Sequence, residues 1–304
     1  MDEVSFDITR HLAANAEAVE RLLADLLSDE VREGEVARPE MLMAAIRHGA
    51  LNGGKRLRPF LVMESTRLLG GPEGAALRVA AALECVHCYS LIHDDLPAMD
   101  DDAVRRGRPT VHVAFDDATA ILAGDGLQAL AFDIISSPET RLPAEAKVGL
   151  VSALSRAAGI GGMVGGQALD LAAEIAPPDE AGVLTLQAMK TGALIRFACE
   201  AGAIIAGGAA EDCERLRRFG GVIGLAFQLA DDLLDVTASA EDLGKATGKD
   251  AGRGKGTLVG LKGIDWARRR LDTLVEEAAS LLSPYGARAL PLAAAARFVA
   301  ERRN

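Results

Sequence analysis

Residues 73–102 read EGAALRVAAALECVHCYSLIHDDLPAMDDD, an alanine-rich apolar run that ends in acid. Up to Leu96 its residues are strong helix formers, and period-two runs of Val, Ile, Thr and aromatics are missing. Pro97 disfavours helix at Leu96. The rest of the chain reads the same way. Val19, Leu22, Leu23, Leu26 and Leu27 recur at three and four, the spacing of one helix face. The pattern predicts helices at 5–29, 40–50, 55–69, 73–96, 117–136, 144–157, 161–173, 180–207, 211–238, 264–282 and 286–302. Asn52-Gly53-Gly54, Gly70-Gly71-Pro72 and Pro177-Pro178 punctuate them. With no linker-like cluster, composition shift or repeat, residues 1–304 are expected to form one all-α domain.

Composition narrows the function. Of 304 residues, 49% are hydrophobic and 25% charged, an ordinary soluble balance. A net charge of -11 argues against nucleic acid as a partner, which needs a basic face. No uncharged stretch reaches the roughly 18–20 residues of a bilayer span, so no membrane span is expected. The stretch MDEVSFDITR lacks a signal-peptide layout. Cys85, Cys88, Cys199 and Cys213 are too few and scattered for a disulfide framework. A cytoplasmic protein with reduced thiols is the expectation.

Acid carries the strongest signal. Asp94, Asp95, Asp100, Asp101 and Asp102 fall within nine residues, and Asp231, Asp232 and Asp235 form a second cluster 137 residues after Asp94. Acid at a helix C-terminus opposes the helix dipole, so two such runs point to function rather than stability. Asp231 and Asp235, four apart, share a helix face at about 6 Å. Asp94 and Asp100 would lie on different faces of a continuous helix, but a loop at Pro97 can return Asp100 to Asp94. Crowded carboxylates repel unless neutralised. Mg²⁺ suits them, because it takes a few carboxylates together with waters and substrate phosphate oxygens.

Cations complement the acid. Gly53-Gly54-Lys55-Arg56-Leu57-Arg58-Pro59 sets three of them beside a Gly-Gly turn at a predicted helix start, a place suited to an anion. Arg105, Arg106 and Arg108 follow the first acidic run; Lys190 sits inside a predicted helix; Lys245 and Lys255 lie in a Gly-rich loop. Together these residues describe a diphosphate site. Five glycines in 159–166 cost helix stability at up to ~1 kcal/mol each, which implies that backbone there approaches a helix or a ligand closely.

These motifs resemble those of the trans-prenyltransferases, the polyprenyl diphosphate synthases, and most of all bacterial farnesyl diphosphate synthases. Asp94, Asp95 and Asp100 match a first aspartate-rich motif of the form DDxxxxD, and Asp231, Asp232 and Asp235 a second, DDxxD. GGKRLRP at 53–59, RRGRPT at 105–110, GGQALDL at 165–171, KTGALIR at 190–196 and FQLADDLLD at 227–235 also match, in the family's order over about residues 40–260. The resemblance implies a bundle of long helices around a central cavity (the isoprenoid synthase fold), a homodimer, and three Mg²⁺ ions with substrate bound. It implies Asp94, Asp100 and Asp231 as metal ligands, with Asp95, Asp232 and Asp235 acting through water or hydrogen bonds. Lys55, Arg58, His87 and Arg106 would bind isopentenyl diphosphate. Arg105, Lys190, Lys245 and Lys255 would bind the allylic diphosphate, and Thr191 and Gln228 would sit near the developing allylic cation. Lys190, Thr191, Gln228 and Arg105 are thus the expected catalytic group.

The implied reaction is head-to-tail condensation of isopentenyl diphosphate with dimethylallyl or geranyl diphosphate, giving farnesyl diphosphate, with geranylgeranyl diphosphate as the alternative. His87 precedes Asp94 by two helical turns and shares its face. Tyr89, five residues before Asp94 or roughly 7–8 Å along the axis, is the one bulky side chain among Ala81, Ala82, Cys85, Cys88 and Ser90, a candidate floor that limits product length. Cys85-Val86-His87-Cys88 has no second CxxC and reads as helix core. A metal phosphohydrolase would need more histidine ligands than five scattered His supply. A non-catalytic subunit would have lost some acid or base of the site. A terpene cyclase would lack the isopentenyl diphosphate cluster.

Overall fold

The computed structural model describes residues 6–242 and 257–301. Two compact units emerge. The first comprises Thr9–Ser152 with Ile204–Gly207; the second comprises Ala153–Ala203 and the chain from Gly208, with the residues up to Ile8.

The first unit is built from α1 (Ile8–Leu26), α2 (Glu40–Ala50), α3 (Leu57–Leu68), α4 (Glu73–Asp94), a hairpin of β1 (Val104–Arg105) and β2 (Arg108–Pro109), α5 (Val111–Ala114), α6 (Asp117–Ser136) and most of α7 (Ala144–Ala158). α1 buries Leu12, Asn15, Val19, Leu23 and Leu26, one stripe at the helical repeat. α4 is different. It packs on α2, α3 and α6 and buries residues on every side, from Val79 to Val86 without a break, as an apolar helix inside a protein must. Its small Ala and Cys side chains let those neighbours close in around it. Asp116 caps α6 by accepting from the Thr119 N–H over 2.7 Å.

The second unit holds α8 (Met163–Ile175), α9 (Glu180–Gln187), a π-helical turn (Ala188–Gly192), α10 (Ala193–Ala206), α11 (Ala210–Asp242), α12 (Leu258–Lys262), α13 (Ile264–Leu282), a 3-10 turn (Ser283–Ala289) and α14 (Leu290–Glu301). α11 packs on α13, α14 and the π turn. Phe197 and Phe219 are fully buried there.

The all-α reading holds, with instructive differences. The helix expected over 180–207 is interrupted by the π turn, and that over 286–302 begins as a 3-10 turn with non-helical Gly286. α5, α12 and the two-residue strands were not foreseen. Mean hydropathy also qualifies the membrane argument: Glu73–Asp94, Asp117–Ser136 and Ala144–Ile175 are long and apolar enough to cross a bilayer by length and composition. For α4 that apolarity faces protein, since 83% of its most apolar window is buried.

Candidate active site

In the first unit α4 delivers the leading acid. The helix ends at Asp94, and the chain turns through Pro97 so that the Asp100 N–H donates to the Asp94 carbonyl over 2.8 Å. The return of Asp100 expected from Pro97 is thus present in the backbone. Asp101 adopts a left-handed conformation, φ 54°, which completes the tight loop. Asp94 and Asp100 are half-buried; Asp95 is buried. Arg105 Nε donates to Asp95 Oδ1 over 2.7 Å, and its Nη2 lies 2.6 Å from the same oxygen and 3.5 Å from Asp102. Burial pushes the Asp95 carboxyl up, against the pull of Arg105.

The cations of the first unit meet at a second turn. Gly53 and Gly54 take positive φ, and Arg106 Nη1 donates to the Gly53 carbonyl. Gly54 has φ 122°, a backbone conformation that favours glycine, and a Cβ there would lie 2.7 Å from Arg106 Nη1. Arg58 lies half-buried with Nη1 3.4 Å from His87 Nε2. Burial and then the Arg58, Arg106, Arg56 and Arg105 guanidiniums drive the His87 pKa well below the ordinary histidine range. The imidazole is therefore neutral, and Nε2 accepts from Arg58. Lys55 is exposed at this turn, whereas Arg56, grouped with it in the sequence, points inward.

Tyr89 is buried, its ring edge-on to His93 at 5.8 Å. His93 in turn packs where Gly124 of α6 has no side chain: a Cβ there would be 2.5 Å from His93 Cδ2. His93, without a role in the sequence reading, therefore supports the aromatic candidate floor.

The second unit gathers the other candidates. The π turn presents Lys190 and Thr191; such turns recur at functional sites. Lys190 Nζ pairs with Asp170 of α8 over 2.7 Å. Thr191 Oγ1 donates to Gln228 Oε1 at 3.0 Å, Gln228 Nε2 donates to Asp232 Oδ1 at 2.9 Å, and Gln187 Nε2 donates to Asp232 Oδ2 at 2.9 Å. Both Asp232 oxygens are thus committed. Burial raises its pKa, opposed by the two amides. Asp231 is half-buried and Asp235 exposed on α11. Asp170 and Gln187 had no assigned role. The acid inside GGQALDL was a visible signal for Asp170; nothing marked Gln187.

Two of the five glycines, Gly165 and Gly166, make a close helix contact. A Cβ at Gly166 would fall 2.5 Å from Lys190 Cα, and one at Gly165 2.7 Å from Met189 Cε. At Gly165 and Gly166 the backbone of α8 therefore presses on the π turn. Lys245, Lys255 and the terminal Arg302 and Arg303 lie outside the described residues. All four cysteines are free thiols. Among the described residues no three His, Cys, Asp or Glu gather closely enough to hold a metal ion by themselves. The hard carboxylate oxygens at Asp94–Asp100 and Asp231–Asp235 suit a cation that fills its remaining positions with water and phosphate oxygens.

The comparisons with known proteins agree with this chemistry. The family model described as polyprenyl synthetase matches residues 39–281. Geranylgeranyl diphosphate synthase of Cyanophora paradoxa is 38% identical over 303 residues, 99% of each chain. Farnesyl diphosphate synthase of Escherichia coli (strain K12) is 44% identical over 255 residues, 83% of this chain and 85% of the relative. The apo crystal structure of an FPP/GFPP synthase from Zymomonas mobilis superposes with a TM-score of 0.86 at 42% identity, covering 96% of this chain and 98% of that one. On the family model and these relatives, the chain belongs to the polyprenyl synthetase family.

Proposed function

We propose that the protein condenses isopentenyl diphosphate with dimethylallyl or geranyl diphosphate, head to tail, to give farnesyl diphosphate. The observation that carries this reading is the folded acidic loop: the Asp100 N–H bonded to the Asp94 carbonyl, with Arg105 and Arg106 on the hairpin that follows. Carboxylates beside guanidiniums suit a metal-bound diphosphate.

Asp94, Asp100 and Asp231 would ligate Mg²⁺, with Asp95, Asp232 and Asp235 acting through water or by holding neighbours. When bound, the ions neutralise charge building on the departing pyrophosphate. Lys55, Arg58, His87 and Arg106 bind the isopentenyl diphosphate. Arg105 and Lys190, with Lys245 and Lys255, bind the allylic diphosphate and stabilise it as it leaves. Thr191 directs its O–H at Gln228 Oε1, which leaves its oxygen lone pairs to stabilise the allylic cation. No side-chain nucleophile is required, because the attacking electrons come from the isopentenyl double bond. Its proton then goes to the released pyrophosphate. Apolar side chains exclude water that would quench the cation. The homodimer as the working form is what the family resemblance implies.

Tyr89 supports the fifteen-carbon product. The twenty-carbon reading is favoured by the Cyanophora paradoxa relative, which matches along its whole length. Incubation with Mg²⁺, isopentenyl diphosphate and geranyl diphosphate, followed by mass spectrometry, separates the two. Farnesyl diphosphate as the end product is expected; a twenty-carbon end product selects the second reading. Absence of any condensation product overturns both, and phosphate release without an acceptor would mark a hydrolase.

A further inference from the structure

Lys55, Arg56 and Arg58 stand together in the sequence as three equivalent cations. The structure separates them. Lys55 is exposed and Arg58 half-buried beside His87, while the Arg56 side chain is only 1% exposed. Arg56 is the residue before α3, and its φ of 46° is left-handed, uncommon for a residue with a side chain. Such a conformation is strained and persists only where surroundings enforce it.

The surroundings are an acid clamp. Nη1 donates to Glu84 of α4 and lies 3.7 Å from Cys88 Sγ. Nε donates to Glu20 of α1 over 2.8 Å; Nη2 donates to the same carboxylate and, over 2.7 Å, to the carbonyl of Ala50, the last residue of α2. All five N–H groups of the guanidinium therefore have acceptors within the protein, and none remains for a substrate. One side chain ties α1, α2 and α4 to the start of α3. A buried ion pair adds little net stability compared with apolar replacements, so what this clamp supplies is geometry.

We infer that Arg56 is a positioning residue for the isopentenyl diphosphate subsite: clamped inward by Glu84 and Glu20, it holds the strained turn that sets Lys55 on one side and Arg58 on the other. The inference rests on the proposed roles of Lys55 and Arg58. It also assigns the N-terminal helix a part in substrate binding through Glu20, a residue in no recognised motif of this chain.

The test is steady-state kinetics on the full chain with Mg²⁺, varying isopentenyl diphosphate and geranyl diphosphate separately, for Arg56→Lys, Glu84→Gln and Glu20→Ala. The KM for isopentenyl diphosphate should rise about tenfold in the first two, a difference of ~1.4 kcal/mol in binding, and by a smaller factor in Glu20→Ala. The KM for geranyl diphosphate should stay within about twofold, since a general loss of structure would raise both. Both KM values rising together, or kcat falling with the isopentenyl KM unmoved, overturns the inference. Glu20 is half-buried at the surface, so its variant keeps the test open if the other two fail to fold. An unchanged isopentenyl KM there overturns it equally. Wild-type protein with no isopentenyl-dependent turnover would instead sink the functional reading itself, a result distinct from active wild type with indifferent variants.

Discussion

Asp94 and Asp100 are joined through the backbone, carbonyl to N–H at 2.8 Å, although six positions separate them. That bond is made by main-chain atoms and does not depend on either side-chain carboxylate. Asp94→Ala should therefore spare the backbone link and remove the proposed metal ligand. Turnover is expected to fall by at least about a hundredfold, as it should for Asp231→Ala, with an unchanged circular dichroism spectrum. Near-normal turnover in folded protein from either variant would remove that residue from the metal site.

Lys55→Ala and Arg58→Ala should raise the KM for isopentenyl diphosphate more than that for the allylic substrate, because Lys55 sits on the turn gripped by Arg106 and Arg58 on the first turn of α3 beside His87. Competitive titrations with each diphosphate measure this directly. An effect confined to the allylic KM would mean that the two subsites are exchanged.

Tyr89→Ala should lengthen the product. Removing a buried aromatic costs about 3–5 kcal/mol, so the variant is to be assayed well below its melting temperature. Gly124→Ala should disturb the same floor from behind by displacing His93. A product distribution by mass spectrometry identical to wild type in active Tyr89→Ala protein would show that the ring is not the stop.

Gly166→Ala places a methyl group against the Lys190 backbone, where no flexible atom can yield. Overpacking of this kind costs typically ~1–3 kcal/mol. The melting temperature should drop and the KM for geranyl diphosphate rise, because Lys190 moves. Unaltered values of both would show that α8 does not brace the π turn.

His87 gives a pH signature. Its folded pKa lies well below the ordinary histidine value of 6.5, chiefly through burial and then through Arg58, Arg106, Arg56 and Arg105. Below pH 6.5 the unfolded chain takes up a proton that the folded chain refuses, so stability falls as pH drops from 6.5 toward the folded pKa. His87→Gln should lose less stability than wild type over that window, as read by urea titrations at pH 7.5 and 5.5. Parallel losses in the two proteins would show that His87 is not held neutral.

Much of this was legible in the sequence because the controlling physics is local. Helical periodicity and Gly/Pro punctuation located α2, α4, α6 and α13 nearly to the residue. Crowded aspartates are conspicuous because like charges need a reason to be adjacent. The π turn was invisible, since Ala188 to Gly192 look no different from their helical neighbours; contact with Gly166 and the Gln228 network are tertiary features. The two-residue strands at 104–109 are too short to show a period. Arg56 was misgrouped because its direction depends on Glu20 and Glu84, 36 and 28 positions away. Gln187 was missed because its partner, Asp232, is 45 positions distant.

The π turn also bears on how the gene can change. Such a turn is in effect one extra residue accommodated inside an α-helix. Losing a single codon between 188 and 192 would not shorten the rod so much as straighten it, with α10 left in nearly its present orientation relative to α9, because the bulge is what absorbs the extra residue. The straightened helix would be the more regular one, yet Thr191 and Gln228 would no longer meet. A lineage carrying that deletion gains an easier fold and loses the oxygen pair, so the irregular turn persists only under selection for what it presents.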